Sequence, residues 1–176
     1  MTKFLAAACR AVSAGKWILL LNLGLLSVGC QTPQPPPKAA GLSEEQVAVL
    51  RELGFETDDA GWRLDFGAPF LFESDTSRLS GQSRESIARM VNALKVMGVD
   101  RLRVEGYADN RGSKLYNEQL SLRRAEAVAR EIERNGMPYS NIVVTGFGTD
   151  NPVGDNKTRK GRAQNRRVAV IVPVMD

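Results

Sequence analysis

The chain has 176 residues, room for one ordinary domain with attachments rather than two full-sized ones. Lysine and arginine number 24 against 20 aspartate and glutamate, and histidine is absent, which excludes Ser-His-Asp triads, Cys-His dyads and His-ligated zinc. Both cysteines, Cys9 and Cys30, fall in the first 30 residues, so no disulfide core, metal centre or cofactor site is expected.

Residues 1–16 carry Lys3, Arg10 and Lys16 and no acid, and an apolar run follows from Trp17 to Leu26. That run is short of the roughly 20 residues a spanning helix needs and reads as a secretory signal over residues 1–29. The ending Ser27-Val28-Gly29-Cys30 is similar to a bacterial lipoprotein signal, with Ser27 where leucine is usual. The resemblance implies Cys30 as the lipidated first residue of an outer-membrane protein, Gln31 favouring that membrane. Removing residues 1–29 leaves 147 residues with 21 bases against 20 acids. Nucleic-acid binding thereby loses its electrostatic support.

Pro33, Pro35, Pro36 and Pro37 make residues 30–42 a polyproline-type tether reaching about 40 Å. Ser43 as N-cap with Gln46 three residues on predicts a capped helix to about Leu53, ended by Gly54. Val47, Leu50 and Leu53 share one side, followed by Phe55 and Trp62. Residues 43–60 are thus a pre-domain helix and linker, and 61–176 the globular domain. This helix either packs back on the domain or offers Leu50, Phe55 and Trp62 to a partner. Released and extended, residues 43–60 add roughly 60 Å of reach.

Within the domain, Trp62–Phe66 and Pro69–Phe72 read as short strands broken by Gly67. A helix follows over about 82–97, with Ile87, Met90, Val91 and Leu94 on one face. Arg101–Glu105 alternates as a strand with one solvated face. A second long helix spans about Asn117 to Asn135, with Leu122, Ala125, Ala129 and Ile132 as its core stripe. Ile142–Phe147 and Arg167–Val174 are the last strands, joined by a basic loop holding Lys157, Arg159, Lys160 and Arg162. The order β-α-β-α-β-β predicts an α/β (α+β) sandwich with helices packed on a mixed sheet.

The candidate site lies between the central strand and the second long helix. Asp109 sits in the turn Gly106-Tyr107-Ala108-Asp109-Asn110-Arg111-Gly112, and Arg124 in the second turn of the helix. The two could simply pair, or could form a zwitterion trap: a carboxylate for an ammonium, a guanidinium fork for a carboxylate. Asn117 is either a helix cap or a ligand contact. Of Arg166 and Arg167, one is expected to pair with an acid beneath the pocket and the other to be solvated. Glu105 and Asp109 are the one imaginable carboxylate pair for glycan cleavage. Strand alternation makes Glu105 a solvated face residue, so no catalytic residues are assigned and the site reads as a binding module.

At these residues the sequence resembles the OmpA-like peptidoglycan-binding family, whose pattern is G-[HT]-T-D-x-x-G, then N-x-x-L-S-x-x-R-A, then N-R-R-V. Gly106, Asp109, Gly112, Asn117, Leu120, Ser121, Arg124 and Ala125 match in register, as do Gly161, Asn165, Arg166, Arg167 and Val168. The resemblance spans about residues 61–174 and implies an OmpA C-terminal-like fold. It also implies that Asp109 and Arg124 hold the diaminopimelate of a stem peptide, with Asn117, Leu120 and Tyr107 beside it. Tyr107 and Ala108 stand where the family has His and Thr, Tyr107 keeping a stacking surface.

Residues 41–50, Gly54-Phe55, Gly61-Trp62 and the tail from Asp155 to Pro173 also resemble a signalling branch of this family. Its lipoproteins sequester a periplasmic inhibitor protein and so release an inner-membrane diguanylate cyclase to make cyclic-di-GMP. The resemblance implies the same partners here; a purely structural tether between outer membrane and wall is the alternative. Homodimer formation is left open by the sequence.

Overall fold

The computed structural model describes residues 42–73 and 76–173. The lipidation site Cys30, the signal and most of the tether lie outside the described residues.

Ser43 caps helix α1 (Glu44–Glu52), its hydroxyl accepting from Gln46 N at 3.2 Å while Gln46 Oε1 accepts from Ser43 N at 2.7 Å. The reciprocal box satisfies two amides that the first turn leaves without intrahelical partners. Gln46 does a second job, since its Nε2 donates to the carbonyl of Met97 at 2.7 Å. Strand β1 (Glu56–Asp58), which the sequence reading lacked, pairs antiparallel with β2 (Gly61–Gly67). The globular unit therefore begins at α1 rather than near Gly61. Leu50 is fully buried and Phe55 and Trp62 nearly so, all in the same apolar core as the sheet.

Residues 69–72 are not a strand. Ala68–Leu71 form a short helix, α2, because Pro69 has the φ a first helical turn needs and no amide to satisfy there. Ser80 caps α3 (Gly81–Val96), which buries Ile87, Met90, Val91 and Leu94 as its periodicity predicts. Strand β3 (Leu102–Gly106) leads into α4 (Lys114–Arg134), capped by Ser113. This helix starts three residues earlier than predicted, so Asn117 is not its cap and Arg124 lies three turns in. Its buried stripe is Ala125, Val128, Ala129 and Ile132, while Leu122 is exposed. A single 3-10 turn (Tyr139–Asn141) precedes β4 (Ile142–Gly146). The expected basic loop contains a seven-residue helix, α5 (Arg159–Asn165), capped by Thr158, before β5 (Arg167–Pro173).

The five strands form one sheet in the order β1-β2-β5-β3-β4, with only β3 and β4 parallel. The last strand thus occupies the centre, and Val168, Val170 and Val172 point to the main core from it. Two glycines decide how closely α4 can lie on the parallel pair. A Cβ on Gly106 would collide with the carbonyl of Ser121, and one on Gly146 would come within 2.6 Å of the Leu122 amide. The backbone of α4 rests on the ends of β3 and β4 there, and Leu122 lies over the edge strand β4 outside the main core.

The opposite face of the sheet carries the charged residues. Arg63, Ile171 and Arg103 lie in one row across β2, β5 and β3, and Asp65, Ala169 and Glu105 in the next. Glu105 is not solvated: it is 5% exposed, receives the Tyr107 hydroxyl at 2.7 Å and Arg103 Nη2 at 2.6 Å, and lies 3.4 Å from Arg63 Nη1. The long stems of Arg63 and Arg103 cover the strand between them, as arginine stems do on apolar surface. Burial works against the Glu105 anion, yet the hydrogen bonds from Arg103 and Tyr107 and the charge of Arg63 prevail and hold its carboxyl below the usual range.

Candidate functional site

At the end of β3 the chain leaves the sheet as a loop that the rest of the fold fixes from several sides. Tyr107 N donates to Arg167 O, Ala108 N to Gly148 O, and Asn117 Nδ2 to the carbonyls of both Asp109 and Arg111. Asn117 is 2% exposed, so it shapes the loop from inside α4. Asp109 is 7% exposed; its Oδ1 accepts from Arg111 N at 3.0 Å, closing an Asx turn. Its Oδ2 accepts from Arg166 Nη1 at 2.7 Å. The ion pair at Asp109 therefore runs to a residue 57 positions away.

Asp109, Asn117, Leu120, Arg124 and Arg166 come together on one cleft of about 570 Å³. Arg111 and Tyr116 also line it, and its far wall is Ala68, Pro69, Phe72 and Glu73 from α2 and the turn after it. The Arg124 guanidinium lies 5.3 Å from the Phe72 ring centroid, which ties α2 to the site. Residues carrying carboxylate and guanidinium groups thus line one space, and groups of both signs can together receive a ligand carrying both charges.

Tyr107 is not among the lining residues. It turns to the opposite face of the sheet, 4% exposed, where its ring stacks on Phe147 at 5.3 Å and lies 3.8 Å from the Arg167 guanidinium. Period-two alternation from Arg103 through Glu105 places it there. Ala108, not Tyr107, borders the cleft. Of the two arginines after Asn165, Arg166 is the one that pairs with an acid, holding Asp109 with a third of its side chain exposed. Arg167, the one left to be solvated, is instead buried beneath Tyr107 with its Nε 3.3 Å from Asp65. Burial draws the Arg167 pKa down, against the opposing charge of Asp65.

Asn165, 1% exposed, locks the neighbouring loop. Its Oδ1 accepts from Val153 N and Gly154 N at 2.8 Å each, and its Nδ2 donates to Gly154 O and Asn156 Oδ1. Asn156 Oδ1 in turn accepts from Asn110 N at 3.4 Å, next to Asp109. Asn165→Ala leaves two amides without acceptors and is expected to cost about 2 kcal/mol. Urea unfolding would measure it; a loss under about 0.5 kcal/mol would show that the loop holds without Asn165. The sequence reading misses Phe72, Pro69 and Tyr116 as site residues, and takes Arg166 only as one of two arginines of which one pairs with an acid, since the fold alone brings it to Asp109. Among the described residues no group of three or more His, Cys, Asp or Glu could hold a metal ion, and no helix is long and apolar enough to cross a membrane.

The sequence pattern described as the OmpA family matches residues 71–166, which include the residues lining the cleft except Ala68 and Pro69. The outer-membrane lipoprotein YfiB of Pseudomonas aeruginosa is 47% identical over 156 residues, covering 89% of this chain and 91% of that protein. The putative lipoprotein YfiB of Escherichia coli K12 is 37% identical over 154 residues, covering 87% and 93%. Among solved structures, the peptidoglycan-associated lipoprotein of Burkholderia pseudomallei superposes with a TM-score of 0.53 at 26% identity, over 58% of this chain and 86% of that one. On this similarity the protein is at the outer membrane, facing the periplasm, and the chain belongs to the OmpA family.

Proposed function

We propose that this lipoprotein is a non-enzymatic module that binds peptidoglycan, the cleft taking the diaminopimelate side chain of a stem peptide. One observation carries the reading: the Asp109 carboxylate and the guanidinium of Arg124 line the same cleft, with Arg166 holding Asp109 in place. Asp109 accepts the ligand ammonium and Arg124 its carboxylate, while Asn117 fixes the loop and Leu120 supplies an apolar side. Tyr107 contributes from beneath as a support of the loop. Co-sedimentation of the full chain, in detergent, with diaminopimelate-type sacculi tests this. Wild type should pellet, and Asp109→Ala and Arg124→Ala should each lower apparent affinity at least about tenfold, as loss of a charge-assisted contact implies. Either variant pelleting like wild type would remove that residue from the site.

The second part of the proposal concerns α1. The similarity to Pseudomonas YfiB runs over 156 residues, more than residues 61–176 contain, so it takes in α1 and β1 as well. This supports capture of a YfiR-like periplasmic inhibitor, relieving a YfiN-like diguanylate cyclase and raising cyclic-di-GMP. Leu50, Phe55 and Trp62 are covered in the packed form, so capture through them requires α1 to lift.

A further inference from the structure

We propose that Phe66 and Phe70 form an aromatic shelf beside the cleft that stacks a hexosamine ring of the glycan strand. The inference rests on the reading of the cleft as a stem-peptide site and extends it to the sugar. Phe70 is 41% exposed, and its ring lies nearly parallel to that of Phe66, with centroids 6.5 Å apart and planes 8° from each other. Phe70 sits between Pro69 and Phe72, which both line the cleft. The shelf therefore begins one residue from the cleft wall, about 3.8 Å along the backbone.

The backbone beneath the shelf is held in place. Ser83 Oγ donates to Phe70 O at 2.8 Å and Ser80 Oγ reaches it at 3.4 Å. Ala68 N donates to Arg166 O at 2.8 Å, which couples α2 to the strand entry that presents Arg166 to Asp109. An exposed aromatic ring on so fixed a backbone is a preformed surface.

The chemistry of the occupant follows from the shelf and the cleft together. Residues 66–72, Phe-Gly-Ala-Pro-Phe-Leu-Phe, contain no charged side chain, so the shelf suits a neutral ligand, whereas the cleft beside it suits a zwitterion. A pyranose ring offers a face of axial C–H groups that packs on an aromatic plane while its hydroxyls stay in water. In peptidoglycan the diaminopimelate is the third residue of the stem, and the stem joins the sugar through a lactyl group. Three such links span about 10 Å, which suffices to set a hexosamine on α2 while diaminopimelate sits in the cleft.

The test is calorimetry on the full chain in detergent micelles with two ligands, the tripeptide L-Ala–γ-D-Glu–meso-diaminopimelate and the same tripeptide on its N-acetylglucosamine–N-acetylmuramic acid disaccharide. Wild type should bind the disaccharide form about three- to tenfold more tightly, the range expected of an aromatic contact. Phe70→Ala should make the two affinities equal without changing that for the tripeptide, and Phe70→Trp should keep the difference. Equal affinities in wild type, as expected if the shelf docks a protein instead, would overturn the proposal and leave the cleft reading standing. So would an advantage that survives Phe70→Ala. If neither ligand binds wild type, the cleft reading fails and the shelf with it.

Discussion

Leu50→Asp should destabilise the whole domain by more than about 4 kcal/mol, and Leu50→Ala by about 3 kcal/mol, in urea unfolding followed by far-UV circular dichroism. Leu50 is fully buried, in one core with Phe55, Trp62 and Leu94. A helix that merely spaced the tether from the domain would tolerate either change. A loss below about 1 kcal/mol for Leu50→Ala would mean that α1 is not part of the cooperative unit. The same burial sets a limit on the proposed inhibitor capture. Re-exposing Leu50 and Phe55 costs about 3–6 kcal/mol, so the lifted form is a small minority until a partner binds it. A charge at Leu50 would confound capture with unfolding. The cleaner variant is Ser43→Ala, which removes the N-cap bond to Gln46. It should loosen α1 by about 1 kcal/mol and raise capture of a YfiR-like inhibitor about fivefold in a pull-down with both proteins purified. Unchanged or weaker capture would place the inhibitor surface elsewhere on the molecule.

What the sequence discloses about this fold follows the range of the interactions involved. The Ser43–Gln46 box and the faces of α3 are local and are read directly from spacing, whereas the alternation of β3 gives the strand but not the burial of Glu105 on its second face, which Arg63 of β2 helps to cover. Residues 68–71 are an apolar run too short for periodicity to separate strand from helix, and Pro69 decides in favour of a helical turn. Leu122 fits the core stripe by period alone. It lies instead over the end of the edge strand, 39% exposed, where Gly146 lets the helix backbone settle at that turn. Motif spacing indicates Asp109 and Arg124, but Arg166 reaches Asp109 across 57 residues through the central placement of β5. Such pairings are decided by strand order, which no local pattern encodes. Tyr107 shows the converse: expected beside the ligand from the motif, it lies on the face turned away from the cleft, where the strand period carries it after Arg103 and Glu105.

Glu105→Gln should lower unfolding free energy at pH 7 by about 3 kcal/mol, because it leaves the guanidinium groups of Arg63 and Arg103 without their shared anion. The glutamine keeps the shape and can still accept from Tyr107, so the loss reports charge rather than packing. Its dependence on pH has a definite sign. The Glu105 carboxyl is held below its ordinary range in the folded protein; burial opposes this, but Arg103, Tyr107 and Arg63 outweigh it. A depressed folded value means that the stabilisation is complete above the unfolded carboxyl pKa of about 4.3 and is lost as pH falls through the folded value. The gap between wild type and Glu105→Gln should therefore be flat from about pH 6 to 8 and close progressively below about pH 4. At the alkaline end Tyr107 acts in the other direction. Burial first, then its bond to Glu105, pushes its hydroxyl pKa up, so wild type should lose stability as pH rises past about 10. Sacculus binding at neutral pH should fall far less than stability, since Glu105 and Tyr107 lie on the face of the sheet away from the cleft. A gap that stays constant down to pH 3 would show that the Glu105 carboxylate is not the group holding these arginines.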